Sequence, residues 1–294
     1  MPQALPTYSA PQTELAHRAA TSVSHRRIAG SDFTAIAVGE IESDKLAHVL
    51  ERPSRISDDP QATLIKRGRS AIVVRVDLPT GATERRVAYK RCGSRTLLRR
   101  LVRGVRTSAA LRNFRLGHKL LALGVATPRP VLAVSPRWHN LLSPSFLATE
   151  WIEGGLPLDA FVRASMAETP DHRRAQLCDA ARRLGQLIGT LHRHGFSHRD
   201  LKSANLLVRE NGRQVEVFLI DLDGATVSRL RIETTRLKNL SRLHAATCRM
   251  SGVTATLRCQ FLRSYLATLG NSANWKTVWR ELQKASRIPP LRTG

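Results

Sequence analysis

The stretch from His194 to Gly224 limits this chain more than any other part of it. It reads His194-Gly195-Phe196-Ser197-His198-Arg199-Asp200-Leu201-Lys202-Ser203-Ala204-Asn205-Leu206-Leu207-Val208, and later Phe218-Leu219-Ile220-Asp221-Leu222-Asp223-Gly224. Between the two lies Glu210-Asn211-Gly212, and Asn-Gly joining the β-compatible runs Leu206 to Val208 and Val215 to Ile220 predicts a tight hairpin. Upstream, Leu177, Ala180, Ala181, Leu184, Leu187, Ile188 and Leu191 recur at helical spacing across Asp171 to His194, and Gly195 supplies the stop. Asp200, Lys202, Asn205 and Asp221 therefore stand at set places on loops between a long helix and a hairpin.

The rest of the chain frames that stretch. Ala62 to Lys66, Ala71 to Leu78 and Arg85 to Lys90 read as strands, the last two joined by a Pro79-Thr80-Gly81 turn, and they predict an antiparallel sheet. Ser94 to Leu123 has helical periodicity, Val131 to Val134 and Phe146 to Trp151 read as two further strands, and Glu153-Gly154-Gly155 is the expected hinge. From Thr234 to Ala285 the pattern is mostly helical. Strands followed by helices make an α+β architecture. The expected domains are an N-terminal extension at 1–58, partly flexible and loose before the fold begins, a sheet lobe at 59–152 and a helical lobe at 153–294. His192 and His194 are expected as cations at a helix C-terminus, where the dipole favours positive charge.

His198-Arg199-Asp200-x-Lys202-x-x-Asn205 resembles the catalytic loop of protein-kinase-like phosphotransferases, and Asp221-Leu222-Asp223 stands where they carry their metal-binding triplet. Val87-Ala88-Tyr89-Lys90, at a strand end, matches their phosphate-binding lysine. The resemblance implies a bilobal protein-kinase-like fold with a small antiparallel-sheet N-lobe and a mainly helical C-lobe, using ATP and Mg²⁺. Asp200 and Lys202 would be catalytic, Asp200 orienting the acceptor hydroxyl and Lys202 reaching the γ-phosphate. Asn205 and Asp221 would ligate Mg²⁺, a hard ion that prefers oxygen donors. Lys90 would hold the α- and β-phosphates, Gly68 lies in the thin phosphate-covering loop Lys66-Arg67-Gly68-Arg69-Ser70, and backbone groups of Glu150 and Ile152 would pair with adenine.

Protein kinases close their activation segment with Ala-Pro-Glu, which this chain lacks, so a phosphate-binding role for Arg199 on such a segment is not expected. Leu123-Gly124-Val125-Ala126-Thr127-Pro128-Arg129-Pro130, Ile220-Asp221-Leu222-Asp223, Lys238-Asn239-Leu240-x-Arg242-Leu243 and Phe261-Leu262-x-x-Tyr265-Leu266 instead resemble the bacterial lipopolysaccharide kinase family, over residues 60 to 270. That implies phosphorylation of an inner-core sugar, Kdo or heptose, or a related anionic glycoconjugate. One element of the kinase pattern is missing: residues 91 to 149 hold no Asp or Glu to pair with Lys90, and Asn113 stands near the expected place. Either another carboxylate such as Asp221 serves, or phosphate alone holds the lysine. A kinase of another small molecule or of a protein, and a weakly active scaffold that binds polyanions through its arginines, remain as alternatives.

Charge and composition narrow the partners. Forty-seven Lys plus Arg against 23 Asp plus Glu give +24, 39 of the cations are Arg, and residues 91 to 137 hold eleven cations and no acid. Such an excess suits an anionic glycolipid or sugar substrate and an anionic membrane face. Aromatics are only 5%, too few for a chain that stacks on nucleic-acid bases. No apolar run approaches the ~20 residues that span a bilayer, and no secretory signal is read at the N-terminus. Cys92, Cys178, Cys248 and Cys259 lack metal-site spacing and are expected as reduced thiols. Together these place the protein in the cytoplasm, peripheral at the inner face of the cytoplasmic membrane.

Overall fold

The computed structural model describes residues 24–41, 43–68, 71–80, 83–92, 107–137, 143–212, 214–227, 232–270 and 275–287. Seven antiparallel strands form the sheet of the first lobe: β1 (His25–Ala29), β2 (Phe33–Val38), β3 (Thr63–Arg67), β4 (Ala71–Thr80), β5 (Thr83–Cys92), β6 (Pro130–Pro136) and β7 (Ser145–Glu150). Their order is β1-β2-β6-β7-β5-β4-β3. Two helices accompany them, α1 (Ser43–Glu51) and α2 (Ala109–Ala122). The predicted strands fall within one or two residues of those observed. Pro79 and Thr80 belong to β4 itself, paired with Glu84 and Thr83, and Gly81 of the expected turn lies outside the described residues.

Residues 24–58 correct the expectation of an N-terminal extension running to 58. The strand β2 lies between β1 and β6, and its Ala37 and Val38 are fully buried. Tyr89, at the centre of β5, donates its hydroxyl to Pro53 O at 3.0 Å, which fastens the 53–57 turn to the sheet. The sequence hid this because β1, His-Arg-Arg-Ile-Ala, is an exposed edge with no apolar alternation, and β2, Phe-Thr-Ala-Ile-Ala-Val, is short and buried at five of its six positions, without clear alternation. Residues 1–23 lie outside the described ones. Of the one or two helices expected across Ser94 to Leu123, the one described begins at Ala109, where Ser108 Oγ caps it by accepting from Leu111 N at 3.2 Å; residues 93–106 lie outside the described ones.

The second lobe is mainly helical. It holds β8 (Leu156–Pro157), α3 (Leu158–Ser165), α4 (Pro170–Arg193), β9 (Phe196–His198), β10 (Leu206–Asn211), β11 (Gln214–Leu219), β12 (Ala225–Val227), α5 (Ile232–Cys248), α6 (Ala255–Thr268) and α7 (Trp275–Arg287). The predicted Asn-Gly hairpin joins β10 to β11, with Gly212 at φ 62°. Pro170 starts α4, whose apolar stripe buries Ile188 and Leu191 completely; each such side chain contributes about 1.5–3 kcal/mol. α4 meets α6 at Gly185, where a Cβ would stand 2.5 Å from Phe261 O, so the helices approach along a path only glycine permits. Each lobe has its own apolar cluster, and Leu120 and Val125 carry the end of α2 into the helical one. Between the lobes, Gly155 N donates to Ile152 O at 3.0 Å around Gly154, whose φ is +68°.

Candidate active site

Two lysine–aspartate arrangements make up the site, one of them bridging the lobes. Lys90, late on β5, sends Nζ to Asp221 Oδ1 at 2.5 Å and to Asp223 Oδ2 at 2.7 Å. This answers the question left by the acid-free segment: the partners of Lys90 come from Asp221-Leu222-Asp223, not from residues 91 to 149. Helix α2 does take part, through its neutral Asn113, whose Nδ2 donates to Asp223 Oδ1 at 2.6 Å, and through Arg112 at 3.4 Å from the same oxygen. Burial opposes the charge on Lys90, but Asp223 and Asp221 overcome it and hold its pKa above the ordinary value. Burial likewise opposes ionisation of Asp223, and Lys90, Asn113 and Arg112 outweigh it, so this carboxyl is held below the usual range.

Asp221 has φ 60° and ψ 61°, the sole positive-φ non-glycine among the described residues. Such backbone costs about 1–2 kcal/mol and persists only where neighbours enforce it. His198 is one enforcer: its buried Nε2 donates to Asp221 O at 2.9 Å. Gly224 leaves room for that ring, since a Cβ there would lie 2.9 Å from His198 Cε1. Arg199 N adds a bond to Gly224 O at 2.9 Å, so β9 and the triplet are tied together.

On the loop after β9, Asp200 Oδ2 accepts from Lys202 Nζ at 2.6 Å. Asn205, almost wholly buried, donates Nδ2 to Asp200 O at 2.8 Å and to Asp200 Oδ2 at 3.3 Å. Its backbone carbonyl accepts from Ile220 N at 2.9 Å, which places Asn205 beside the strand end that carries Asp221. Slight burial pushes the Asp200 carboxyl up, but Lys202 and Asn205 hold it below its ordinary pKa, so it is an anion at neutral pH. Asp200, Lys202, Asn205, Asp221 and Lys90 are thus brought together as the sequence suggested.

Behind this loop stand residues that chemical reasoning on the sequence passed over. Asn239 Oδ1, from α5, accepts from His198 N at 2.9 Å and faces His192 Nε2 at 3.3 Å. Tyr265, from α6, bonds His192 Nδ1 at 2.9 Å. Because the amide oxygen can only accept, His192 is the Nε2–H tautomer and Tyr265 is the donor. This corrects the expectation of His192 as a terminal cation: burial pushes its pKa down to about 4, so it is neutral. The signal was present in the spacing of Asn239 and Tyr265 but carried no chemistry until the chain was folded.

The positions expected to border a nucleotide are less uniform. Gly68 N donates to Ala71 O at 2.9 Å, closing the β3–β4 loop; Arg69 and Ser70 lie outside the described residues. Glu150 N is committed to Arg129 O at 2.8 Å, so only its carbonyl is left for a base edge, while Ile152 N has no partner among the described residues. The Glu150 side chain belongs to a ring of charges: Arg85 spans Glu40 (2.6 Å) and Glu150 (3.1 Å), and Arg129 spans the same two at 2.7 and 3.7 Å. An apolar cavity lined by Leu158, Leu184, Leu243, Phe261 and Trp279 lies within the helical lobe, apart from these groups. The four cysteines are free thiols.

The model of the lipopolysaccharide kinase (Kdo/WaaP) family matches residues 67–265. The chain belongs to the Kdo/WaaP lipopolysaccharide kinase family. Members similar to it include a 3-deoxy-D-manno-octulosonic acid kinase of Xylella fastidiosa, 31% identical over 151 residues, which are 51% of this chain and 53% of that protein. Another, from Xanthomonas oryzae pv. oryzae, is 31% identical over 185 residues, 60% of this chain and 66% of that one. The chain thus spans about half to two thirds of the length of these Kdo/WaaP relatives. A solved structure, WaaP in complex with acyl carrier protein, has the same protein-kinase-like fold, with a TM-score of 0.55 at 18% identity, over 83% of this chain and 98% of that one. In this Kdo/WaaP member the donor set fits Mg²⁺. Asn205 directs its amide nitrogen at Asp200, leaving its oxygen for a cation, and Asp221 adds a carboxylate. Two such oxygens suffice for an ion that completes its shell with water and phosphate.

Proposed function

We propose that this chain transfers the γ-phosphate of ATP to a hydroxyl of a Kdo residue in the lipopolysaccharide inner core. The observation that carries this is the pairing of Lys90 with Asp221 and Asp223 together with the Asp200–Lys202–Asn205 loop, in a member of this family with Kdo kinases among its relatives. Asp200, anionic and exposed, accepts the acceptor proton as the hydroxyl oxygen attacks phosphorus, and the bond from the γ-phosphorus to the bridging oxygen breaks to release ADP. Lys202 stands next to Asp200 and balances charge on the transferred group. Lys90 holds the remaining phosphates. Asn205 and Asp221 would hold Mg²⁺, which when bound neutralises phosphate charge. Gly68, the Glu150 carbonyl and the Ile152 amide border the nucleotide.

A membrane-face position fits the same substrate. Arg115 and Lys119 are exposed on α2 four residues apart, a pair suited to an anionic leaflet. No helix among the described residues is long and apolar enough to cross a membrane. The test is incubation with labelled ATP and separated lipid, sugar and protein fractions, with Asp200→Asn as control. Label should enter the lipopolysaccharide fraction, and the variant should bind ATP without transferring it. Label in protein alone, or undiminished transfer by the variant, would sink the proposal.

A further inference from the structure

Charge is balanced unevenly around Asp200. Lys202 neutralises Asp200, and Lys90 with Arg112 offsets Asp221 and Asp223. Next to this balanced centre stand Arg199 and Arg242, both exposed and neither with an acidic partner among the described residues. Arg242 is the better placed. It shares a face of α5 with Asn239, three residues earlier, and both grip the catalytic loop: Asn239 holds His198 N, and Arg242 Nη1 donates to Arg199 O. The carbonyl it grips is bonded directly to the nitrogen of Asp200. One nitrogen of the guanidinium is spent on that tether. The Nε–Nη2 edge, the side that pairs with a carboxylate through two parallel bonds, has no partner among the described residues.

We propose that Arg242, flanked by Arg199, binds the carboxylate of a sugar-acid acceptor and thereby selects Kdo over a neutral heptose; this rests on the kinase assignment above. A tether alone would not require arginine at an exposed position beside Arg199, a second cation with no acidic partner among the described residues. A carboxylate bound there presents the neighbouring hydroxyls of the same sugar to Asp200. An anionic acceptor meets no net repulsion in a cleft whose own carboxylates are already neutralised.

The experiment compares a Kdo-bearing acceptor as the free acid with its methyl ester, which keeps the sugar and removes the charge. Wild type should favour the acid by roughly 10- to 100-fold in kcat/KM, the range for a hydrogen-bonded charge pair. Arg242→Gln should collapse the acid-to-ester ratio toward one, and Arg242→Lys should restore part of it. If Arg242→Gln lowers acid and ester alike, or wild type does not discriminate, the residue is a tether only and the proposal is wrong. Calorimetric binding of free Kdo needs no turnover and reads the same contrast. Phosphorylation of neither acceptor would sink the kinase assignment separately, and the anion site would then be judged on loss or retention of that binding in Arg242→Gln.

Discussion

Lys90 and Lys202 both meet aspartates, yet in opposite circumstances. Lys90 is 14% exposed and reaches Asp221 and Asp223 across the lobes, whereas Lys202 is 49% exposed and pairs with an aspartate two residues away. The first pair is made by folding and holds the lobes in register. The second is local, wet and free to rearrange when an acceptor arrives. A buried charge left unpaired is costly, and an exposed pair is worth little, so the same residue types divide into a clasp and a tool.

Removing each lysine tests that division. Lys90→Ala and Lys202→Ala should each lower kcat by about 100-fold or more, but only Lys90→Ala should lower stability, by about 1–2 kcal/mol after allowing for partial solvent screening of the aspartates. Equal denaturation midpoints for the two variants would break the comparison. Gly224→Ala should follow at about 1 kcal/mol, because the new methyl forces back the His198 ring that supports Asp221; kcat should fall with it, and an unchanged melting curve would show the ring to be less confined.

The third prediction concerns pH. His192 and His118 are both pushed down to about 4 by burial, and Arg236 and Arg129, respectively, add to the effect. The unfolded chain then binds more protons between about pH 6.5 and pH 4, so stability should decline as pH falls through that window and hold level above it. Melting curves across pH check this, and His192→Gln should flatten the decline. The clasp itself should be less sensitive there, since Asp223 titrates below the usual carboxylate range. Smallest of all, Arg112→Ala should change stability by less than about 0.5 kcal/mol, because that arginine is half exposed and 3.4 Å from Asp223. A larger loss would mean α2 holds the clasp through charge as well as through Asn113.

Local signals carried a good part of this in the sequence. The Asn211-Gly212 hairpin, the periodic stripe of α4 and the spacing of Asp200, Lys202 and Asn205 all depend on neighbours in the chain, and the structure has them where expected. Asp223 as partner of Lys90 was half visible: residues 91 to 149 hold no acid to supply a partner, but that Asp223 joins Asp221 on the lysine needed three dimensions. Asn239, His192 and Tyr265 were opaque for the same reason, since their bonds join three separated elements. The strand β2 was missed because a short run of alanines and β-branched residues gains its burial wholly from β1 and β6 on either side.

The ring of Arg85, Arg129, Glu40 and Glu150 bears on how the protein should be cut for the bench. The family model begins at residue 67, an inviting place to start an expression clone. A clone begun there would delete Glu40, leaving two arginines crowded on Glu150 at the end of β7, and would strip β2 from the flank of β6. The shortest fragment worth making begins no later than His25.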